Sequence, residues 1–157
     1  MTEDEKWMQL AITEAHLAAS KNEIPVGAVL IQNGIVIAKA HNQPISHNDP
    51  TAHAEILALR IGGEKQKNYR LINCTLYVTL EPCTMCFGAM IHARIKRIVF
   101  GALDPKTGVC GSCKNLAKES FYNHKILIFG GVLEDDCKKI LQKFFKERRK
   151  NLTNIIN

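Results

Sequence analysis

The chain has 157 residues, 46% of them hydrophobic, and a formal net charge of +6, which suits one domain with a sizeable core and favours a polyanionic partner. No apolar run reaches the roughly 20 residues that span a bilayer, and the acidic start MTEDEKWMQL is unlike a signal or transit peptide. We therefore predict a single domain over residues 1–157, located in the cytoplasm and without a membrane partner.

The first part of the chain predicts a helix followed by a β-hairpin. The segment TEDE has the spacing of a capping box and begins a helix that extends to about Ser20. Residues 26–40 predict two strands. These strands are joined by Asn33-Gly34, a strong signal for a two-residue hairpin turn.

A helix, a strand and another helix follow. The segment DPTAHAEILALRIGG predicts a helix with Asp49 as its cap, Pro50 as its first residue and an end at Gly62-Gly63. Residues 74–80, CTLYVTL, form a β-branched and aromatic strand. This strand leads directly into Pro82, which suits the first turn of the next helix.

Two more strands and a last helix complete the order. The strands are predicted at 96–101 and 124–131, and the helix at 133–150. A polar, glycine-containing loop from Ala102 to about Cys113 follows the first of these strands. One mixed sheet with helices on both faces is the simplest packing for this order. We therefore predict an α/β protein, a three-layer α/β/α sandwich with a mixed five-stranded sheet.

Two cysteines and a histidine have the pattern of a metal site. Cys83 and Cys86 offer two thiols from one helical turn, and the helix amino terminus there lowers thiol pKa. His53 lies at the start of another predicted helix, and two parallel strand–helix units would bring both starts to one edge of the sheet. Two thiolates select zinc or iron–sulfur chemistry. Three protein ligands leave the fourth zinc position open to water, the pattern of catalytic zinc.

Glu55 is the expected proton carrier of such a site. We do not expect it to be a ligand, but a carboxylate there can move protons between water and a substrate. Because residues two apart face different ways in a regular helix, His53 must stand on a first, irregular turn. The alternative is a solvated Glu55 beside a histidine of the core.

A second Cys-x-x-Cys pair, Cys110 and Cys113, leaves another metal site open. Repeated pairs of this kind are also typical of a closed structural zinc site. That site would leave His53 and Glu55 without a role, and Cys83 lies in a helix-forming sequence and not in a zinc knuckle. We favour the open site and interpret Cys110 and Cys113 as spectators in a substrate-facing loop.

Together, the segments HAE and PCTMC resemble the zinc-dependent deaminases of nucleosides and nucleobases, the cytidine and deoxycytidylate deaminase superfamily. The resemblance runs from IPVGAVLI to FFKERR. In NYRLINCTLYVTLEPC, FGALDPKTGVCGS and NHKILIFGGVLEDDCKKILQKFFKERR it is greatest to the bacterial tRNA-specific adenosine deaminases. It implies a cytidine-deaminase-like fold, a homodimer, one Zn²⁺ per subunit held by His53, Cys83 and Cys86, and Glu55 as the catalytic proton carrier.

The resemblance also implies an activity. The expected reaction is hydrolytic deamination of the wobble adenosine to inosine in the anticodon stem-loop of an arginine tRNA, with the base turned out of the loop. A deaminase of free guanine, cytosine or a nucleoside is the enzymatic alternative, disfavoured by the basic carboxyl end and the GALDPKTG loop. A non-catalytic zinc module that binds RNA is the other alternative, and it requires an idle Glu55.

Two further residues match substrate-contacting positions of that family, and two basic residues are candidates for phosphate contact. Asn42 matches the position that hydrogen-bonds the turned-out base, and Asp104 matches the position that contacts the neighbouring sugar. Lys106 and Arg149, the latter in the basic run KERRK, are expected to contact phosphates. Without the resemblance, two turn residues and a solvated basic helix face would explain the same pattern.

Overall fold

A mixed sheet of five strands forms the middle layer of the protein, as seen in a computed structural model that describes residues 1–156. The strands are β1 (Gly27–Gln32), β2 (Ile35–His41), β3 (Cys74–Leu80), β4 (Arg97–Ala102) and β5 (Leu127–Phe129). They lie in the order β2-β1-β3-β4-β5, with β1 antiparallel to both neighbours and β3, β4 and β5 parallel. The predicted mixed five-stranded sheet is confirmed. Asn157, the last residue of the predicted domain, lies outside the described residues.

Helices cover both faces of this sheet. They are α1 (Glu3–Ser20), α2 (Pro44–His47), α3 (Ala54–Gln66), α4 (Thr84–His92) and α5 (Glu134–Ile156). Within residues 1–156, none of them combines the length and the apolar composition that a membrane span requires.

The two faces of the sheet bury separate hydrophobic clusters. Val29 and Leu30 are neighbours in β1 and both are fully buried, but side chains alternate along a strand, so they enter different clusters. Val29 shares its cluster with Trp7 of α1 and Cys137 of α5. Leu30 shares the other with Phe87 of α4 and with residues of α3. The predicted α/β/α sandwich is therefore confirmed, and Trp7 belongs to its core.

The chain start and the hairpin follow the sequence prediction. Thr2 and Glu5 form the capping box, each backbone N–H donating to the other side chain, at 2.9 and 3.1 Å. Asn33 and Gly34 both have positive φ, 51° and 73°, as the two-residue hairpin turn requires. β3 has the predicted bounds.

An ion pair attaches α1 to the sheet. The Arg97 guanidinium of β4 donates two hydrogen bonds to the Asp4 carboxylate, at 2.8 and 2.6 Å. The Tyr77 hydroxyl of β3 donates to the same carboxylate at 2.8 Å. The hydrogen bonds from Arg97 hold the pKa of Asp4 below its ordinary value of 3.8. Asp4 therefore joins one helix to two strands, far along the chain from the residues of the predicted metal site.

The prediction that the next helix begins at Asp49 and Pro50 is wrong. The Asp49 carboxylate accepts hydrogen bonds from the N–H and the hydroxyl of Thr51, at 2.8 and 2.7 Å, and closes a local turn. The short helix α2 precedes this turn, and α3 starts only at Ala54. The Ala54 N–H donates to Asn42 Oδ1 at 2.8 Å. The group that satisfies the helix start thus comes from the end of β2, which local sequence does not reveal.

The predicted end of this helix at Gly62-Gly63 is also wrong. α3 continues beyond both glycines and stops at Lys67, whose φ of 52° is left-handed. Gly62 is required by packing, because a Cβ at this position would lie 2.5 Å from Leu30 Cδ2 in the core. Gly62 therefore allows α3 to pack closely against the sheet and does not end the helix.

The last strand and the last helix differ in length from their predictions. β5 comprises three residues, Leu127–Phe129, where 124–131 was predicted, and α5 extends to Ile156 where 150 was predicted. His124 Nε2 lies 2.7 Å from the carbonyl oxygen of Ile95, so this residue is bound by its ring and does not join the ladder.

The two adjacent glycines of α3 provide a matched pair for a stability test. We expect Gly63→Ala to raise the free energy of unfolding by about 0.5–1 kcal/mol through helix propensity, because an added Cβ meets only Asn68 O, at 3.6 Å. We expect Gly62→Ala to lower it by about 1–3 kcal/mol through overpacking against Leu30. Urea denaturation of both variants checks this, and equal effects would contradict the different packing of the two positions.

Candidate active site

Two helix starts meet at one edge of the sheet. β2 and β3 are both antiparallel to β1 and therefore run in the same direction, so α3 and α4 start beyond the same edge. His53 is the N-cap residue of α3, and Cys83 is the N-cap residue of α4. Pro82, predicted in the first turn of α4, instead precedes the cap, and its carbonyl oxygen accepts from Val109 N–H at 3.0 Å. The expected convergence of the two starts is confirmed.

The three predicted ligands lie at distances that suit zinc. His53 Nδ1 is 3.7 Å from Cys83 Sγ and 3.5 Å from Cys86 Sγ. Tetrahedral zinc, with Zn–S of about 2.3 Å and Zn–N of about 2.0–2.1 Å, places sulfur and nitrogen about 3.6 Å apart. Within the part of the chain that the structure describes, this is the only cluster of three or more such side chains with its ligand atoms within 4.8 Å of one another. The donor set and its spacing fit zinc, so these three residues can hold it.

The surroundings of the two thiols shift their pKa values in opposite directions. Hydrogen bonds from the Cys86 thiol and from His53 lower the pKa of Cys83 to about 4. The same hydrogen bond, with burial, raises the pKa of Cys86 above its ordinary value. The bond to Cys83 raises the pKa of His53. Cys83 is therefore a thiolate at neutral pH, which is the form that binds metal.

Glu55 lies against this cluster and is almost completely buried, with 4% of its surface exposed. It is the second residue after His53 in the chain, and the charge of Cys83 acts on its carboxyl group. Burial, with the charge of Cys83, raises the pKa of Glu55 to about 7. His53 has extended backbone angles, φ −71° and ψ 153°, so it stands before the regular helix, as the sequence argument required. A carboxyl group in this position can both take and give a proton near neutral pH.

Asn42 connects the end of β2 to the start of α3. Its backbone N–H donates to Val26 O at 3.0 Å, and its Oδ1 accepts from Ala54 N–H, beside the ligand His53. Nδ2 makes no hydrogen bond within residues 1–156. Asn42 therefore has a structural task through its oxygen, and its amide donor remains available to another group.

Asp104 and Lys106 lie on the loop that follows β4. The Asp104 carboxylate accepts from the N–H groups of Lys106 and Thr107, at 3.0 and 3.2 Å, and from the Thr107 hydroxyl at 2.9 Å. The Lys106 side chain is exposed. The loop approaches the cluster through Glu81, which lies two residues before Cys83. The Asp104 N–H donates to the Glu81 carboxylate at 3.1 Å. The predicted RNA contacts of both residues stay predictions.

Arg149 lies apart from the cluster, on the exposed part of α5. Its neighbours in the basic run are exposed as well; they are Lys146, Arg148 and Lys150. No hydrogen bond or ion pair within the described residues connects the Arg149 side chain to the site. Its predicted phosphate contact stays a prediction.

The second cysteine pair does not join the metal cluster. Cys110 is buried, with 6% of its surface exposed, whereas Cys113 is exposed and its thiol donates to Pro105 O at 3.1 Å. Neither residue belongs to the group formed by the three predicted ligands, as judged over residues 1–156. The geometry thus favours the open three-ligand site over the closed four-thiolate alternative.

Sequence reasoning missed a carboxylate beside the ligands. Glu81 is 2% exposed and accepts hydrogen bonds from the loop after β4. A signal was available, since Glu81 is an acidic residue at the end of the apolar strand CTLYVTL and directly before Pro82. A buried acid at such a junction must be satisfied by nearby donors.

Known proteins resemble this chain along most of its length. Residues 1–102 match the cytidine and deoxycytidylate deaminase zinc-binding region. The chain is 51% identical to the tRNA-specific adenosine deaminase of Haemophilus influenzae, over 93% of this chain and 85% of that protein. It is 47% identical to the tRNA-specific adenosine deaminase of Bacillus subtilis, over 96% of this chain and 93% of that protein. A solved structure from a study of A-to-I editing by tRNA:A34 deaminases superposes with a TM-score of 0.84 at 42% identity, covering 87% of this chain and 99% of that one.

Metal content separates the two arrangements of cysteines. We expect Cys83→Ala and Cys86→Ala to lose bound zinc, because each removes one of only three protein ligands. We expect the double variant Cys110→Ala/Cys113→Ala to retain the zinc content of the unaltered protein. Elemental analysis of dialysed protein checks this, with unfolding temperatures as the control for folding. Zinc loss in the double variant, or two zinc ions per chain in the unaltered protein, would instead support the closed site.

Proposed function

The chain belongs to the cytidine and deoxycytidylate deaminase family, and we propose from this membership and from the site that it deaminates the wobble adenosine of a tRNA anticodon to inosine. The observation that carries the reaction is the buried Glu55 against a His53, Cys83 and Cys86 cluster spaced for zinc. The substrate follows from the similarity to tRNA-specific adenosine deaminases, which covers more than nine-tenths of the chain. An anticodon loop suits the chemistry because its bases unstack at little cost and expose their edges.

His53, Cys83 and Cys86 hold the zinc ion, one per subunit. A zinc ion with three protein ligands supplies Lewis acidity, which makes hydroxide available from water near neutral pH. The cluster is only partly covered, since His53 and Cys83 are half-buried, whereas Cys86 and Glu55 lie beneath them. A base can therefore approach from the side of the two helix starts.

Glu55 moves the protons of the reaction. Water adds to carbon 6 of adenine, and the carboxylate takes the proton that the water loses. The resulting carboxylic acid protonates the ring nitrogen beside carbon 6. A second proton, from the new hydroxyl group on carbon 6, passes through Glu55 to the amino group, which leaves as ammonia while carbon 6 becomes a carbonyl. Adenosine and water thus give inosine and ammonia. A pKa raised to about 7 by burial suits both directions of transfer.

Four further residues orient the RNA. The Nδ2 group of Asn42 donates to an acceptor on the adenine edge. Asp104 contacts the sugar next to the turned-out nucleotide. Lys106 and Arg149 contact phosphates, a role that their exposure and charge support.

The active unit is a cytoplasmic homodimer in which each chain forms one deaminase domain over residues 1–157. The family resemblance supports the dimer. A cleft of about 890 Å³ between α3 and α4, whose lining includes Ile56, Leu59 and Ala89 among polar residues, offers a second copy a partly apolar surface. Localisation in the cytoplasm follows from a tRNA substrate.

A synthetic anticodon stem-loop with a wobble adenosine tests the function directly. We expect inosine to form at that position only, detected by mass spectrometry, with free adenosine, guanine and cytosine unchanged under the same conditions. The isosteric Glu55→Gln should lower the rate at least about 10²-fold, because the proton carrier is lost. Its zinc content should not change. Turnover of a free base or nucleoside alone would overturn the tRNA substrate, and full activity of Glu55→Gln would overturn the role of Glu55.

The two tasks of Asn42 are separable by substitution. We expect Asn42→Asp to keep an acceptor for Ala54 N–H and therefore to retain zinc and stability, but to lose the amide donor and at least tenfold in kcat/KM for the stem-loop. Asn42→Ala removes both groups and should also lower the free energy of unfolding by about 1 kcal/mol, as the loss of a helix cap does. Steady-state kinetics and urea denaturation of both variants check this. Unchanged kcat/KM in Asn42→Asp would show that the donor does not read the base.

A further inference from the structure

Glu81 is a buried acidic residue that lies between a predicted metal ligand and a surface loop. It follows β3 directly, stands two residues before Cys83 and is 2% exposed. Its Oε1 accepts from Asp104 N–H at 3.1 Å, and its Oε2 accepts from the N–H groups of Cys110 and Ser112, at 2.9 and 3.0 Å. The Ser112 hydroxyl also donates to Oε1. Within residues 1–156 no ion pair involves Glu81, so loop groups alone satisfy its charge.

The loop, residues 103–113, is arranged around this carboxylate. Its three donating N–H groups belong to residues spread over 104–112, a segment outside the helices and the five strands. Gly108 permits the close approach, since a Cβ there would lie 2.4 Å from Glu81 Cδ. Val109 N–H adds a bond to Pro82 O at 3.0 Å. The loop therefore wraps around the two residues that precede the ligand Cys83.

We propose that Glu81 is a positioning residue that holds the 103–113 loop, with Asp104 and Lys106, in the place that RNA binding requires relative to the metal ligands. This inference rests on the proposed function. Glu81 does not touch the reacting atoms. Its carboxylate replaces the acceptors that a strand or helix would supply to the N–H groups of the loop, and a bond from an N–H to a charged oxygen is stronger than one to a neutral oxygen.

This role separates RNA binding from metal binding. Without the carboxylate, three N–H groups and one hydroxyl lose their acceptor and the loop becomes free to move. The ligands His53, Cys83 and Cys86 are held by the helix starts and not by the loop. A defect at Glu81 should therefore raise KM for RNA, with zinc content unchanged and kcat at saturating RNA nearly unchanged.

The isosteric Glu81→Gln is the first variant to measure, because its amide keeps one acceptor and turns two donors toward the donors of the loop. We expect hydrogen exchange in peptides covering 103–113 to accelerate at least tenfold. We expect KM for the stem-loop to rise at least fivefold, with kcat within twofold and the zinc content unchanged. Asp4→Asn is the matched control, since it removes a carboxylate with three donors on the other side of the sheet. It should change neither the exchange of this loop nor KM.

Two milder variants approach the same contact from the side of the loop. Ser112→Ala removes one donor and should raise KM by less than Glu81→Gln does; in the double variant the two effects should be less than multiplicative, because they act through one bond. Gly108→Ala pushes the loop from the carboxylate without changing any charge and should raise KM in the same way. If Glu81→Gln does not fold, these two variants carry the test.

Three results would overturn the proposal. An unchanged KM despite faster loop exchange would show that RNA binding does not need the ordered loop. Zinc loss in Glu81→Gln would show that the residue supports the metal site. Unchanged exchange in 103–113 would show that the carboxylate does not hold the loop. If the unaltered protein fails to deaminate the stem-loop, the proposed function fails by itself, and exchange together with the Kd for the stem-loop, from fluorescence anisotropy, still decides the role of Glu81.

Discussion

The predicted metal site depends on the short distance between the starts of α3 and α4. β1 is antiparallel to β2 and to β3, so the strands that precede α3 and α4 point the same way although they are not neighbours. The cap residues His53 and Cys83 consequently face each other across 3.7 Å. A regular helix could not present His53 and Glu55 to one pocket. The extended backbone of His53, the N-cap residue, is therefore necessary for the site. The hydrophobic cluster that packs α3 and α4 against one face of the sheet keeps both helices in place.

Three of the four buried glutamates show how surroundings assign different tasks to one chemical group. Glu23 accepts from the N–H of Ile45 and from the N–H and hydroxyl of Ser46, and these bonds help to keep its pKa low. Glu81 is also surrounded by donors, which come from the loop after β4, and its task is structural. Glu55 has few donors, and burial raises its pKa to about 7. Only the poorly satisfied carboxyl is suited to carry protons.

The sequence predicts the periodic and the chemically distinctive features of the protein well. Strand β3, the hairpin and the two-thiolate half-site depend on neighbouring residues, and their patterns are local. The start of α3 was misplaced because its satisfying group, Asn42 Oδ1, is twelve residues away. In the sequence, Gly62 has the pattern of a helix end, because the close approach of Leu30 that explains this glycine exists only after folding. The hydrogen bonds of Glu81 are not visible in the sequence for the same reason, since their donors lie on a loop more than twenty residues further along the chain.

Asn42 restricts how the substrate preference of this site can change. Its oxygen holds the first helical residue after the predicted ligand His53, and in the proposed function its amide donor reads the base. Any new side chain at this position must still present an acceptor at nearly the same point, or the ligand His53 loses its support. The set of tolerated residues is therefore short and polar. An evolutionary route to a different nucleobase would more readily pass through the exposed loop residues, which can vary without disturbing the ligand geometry.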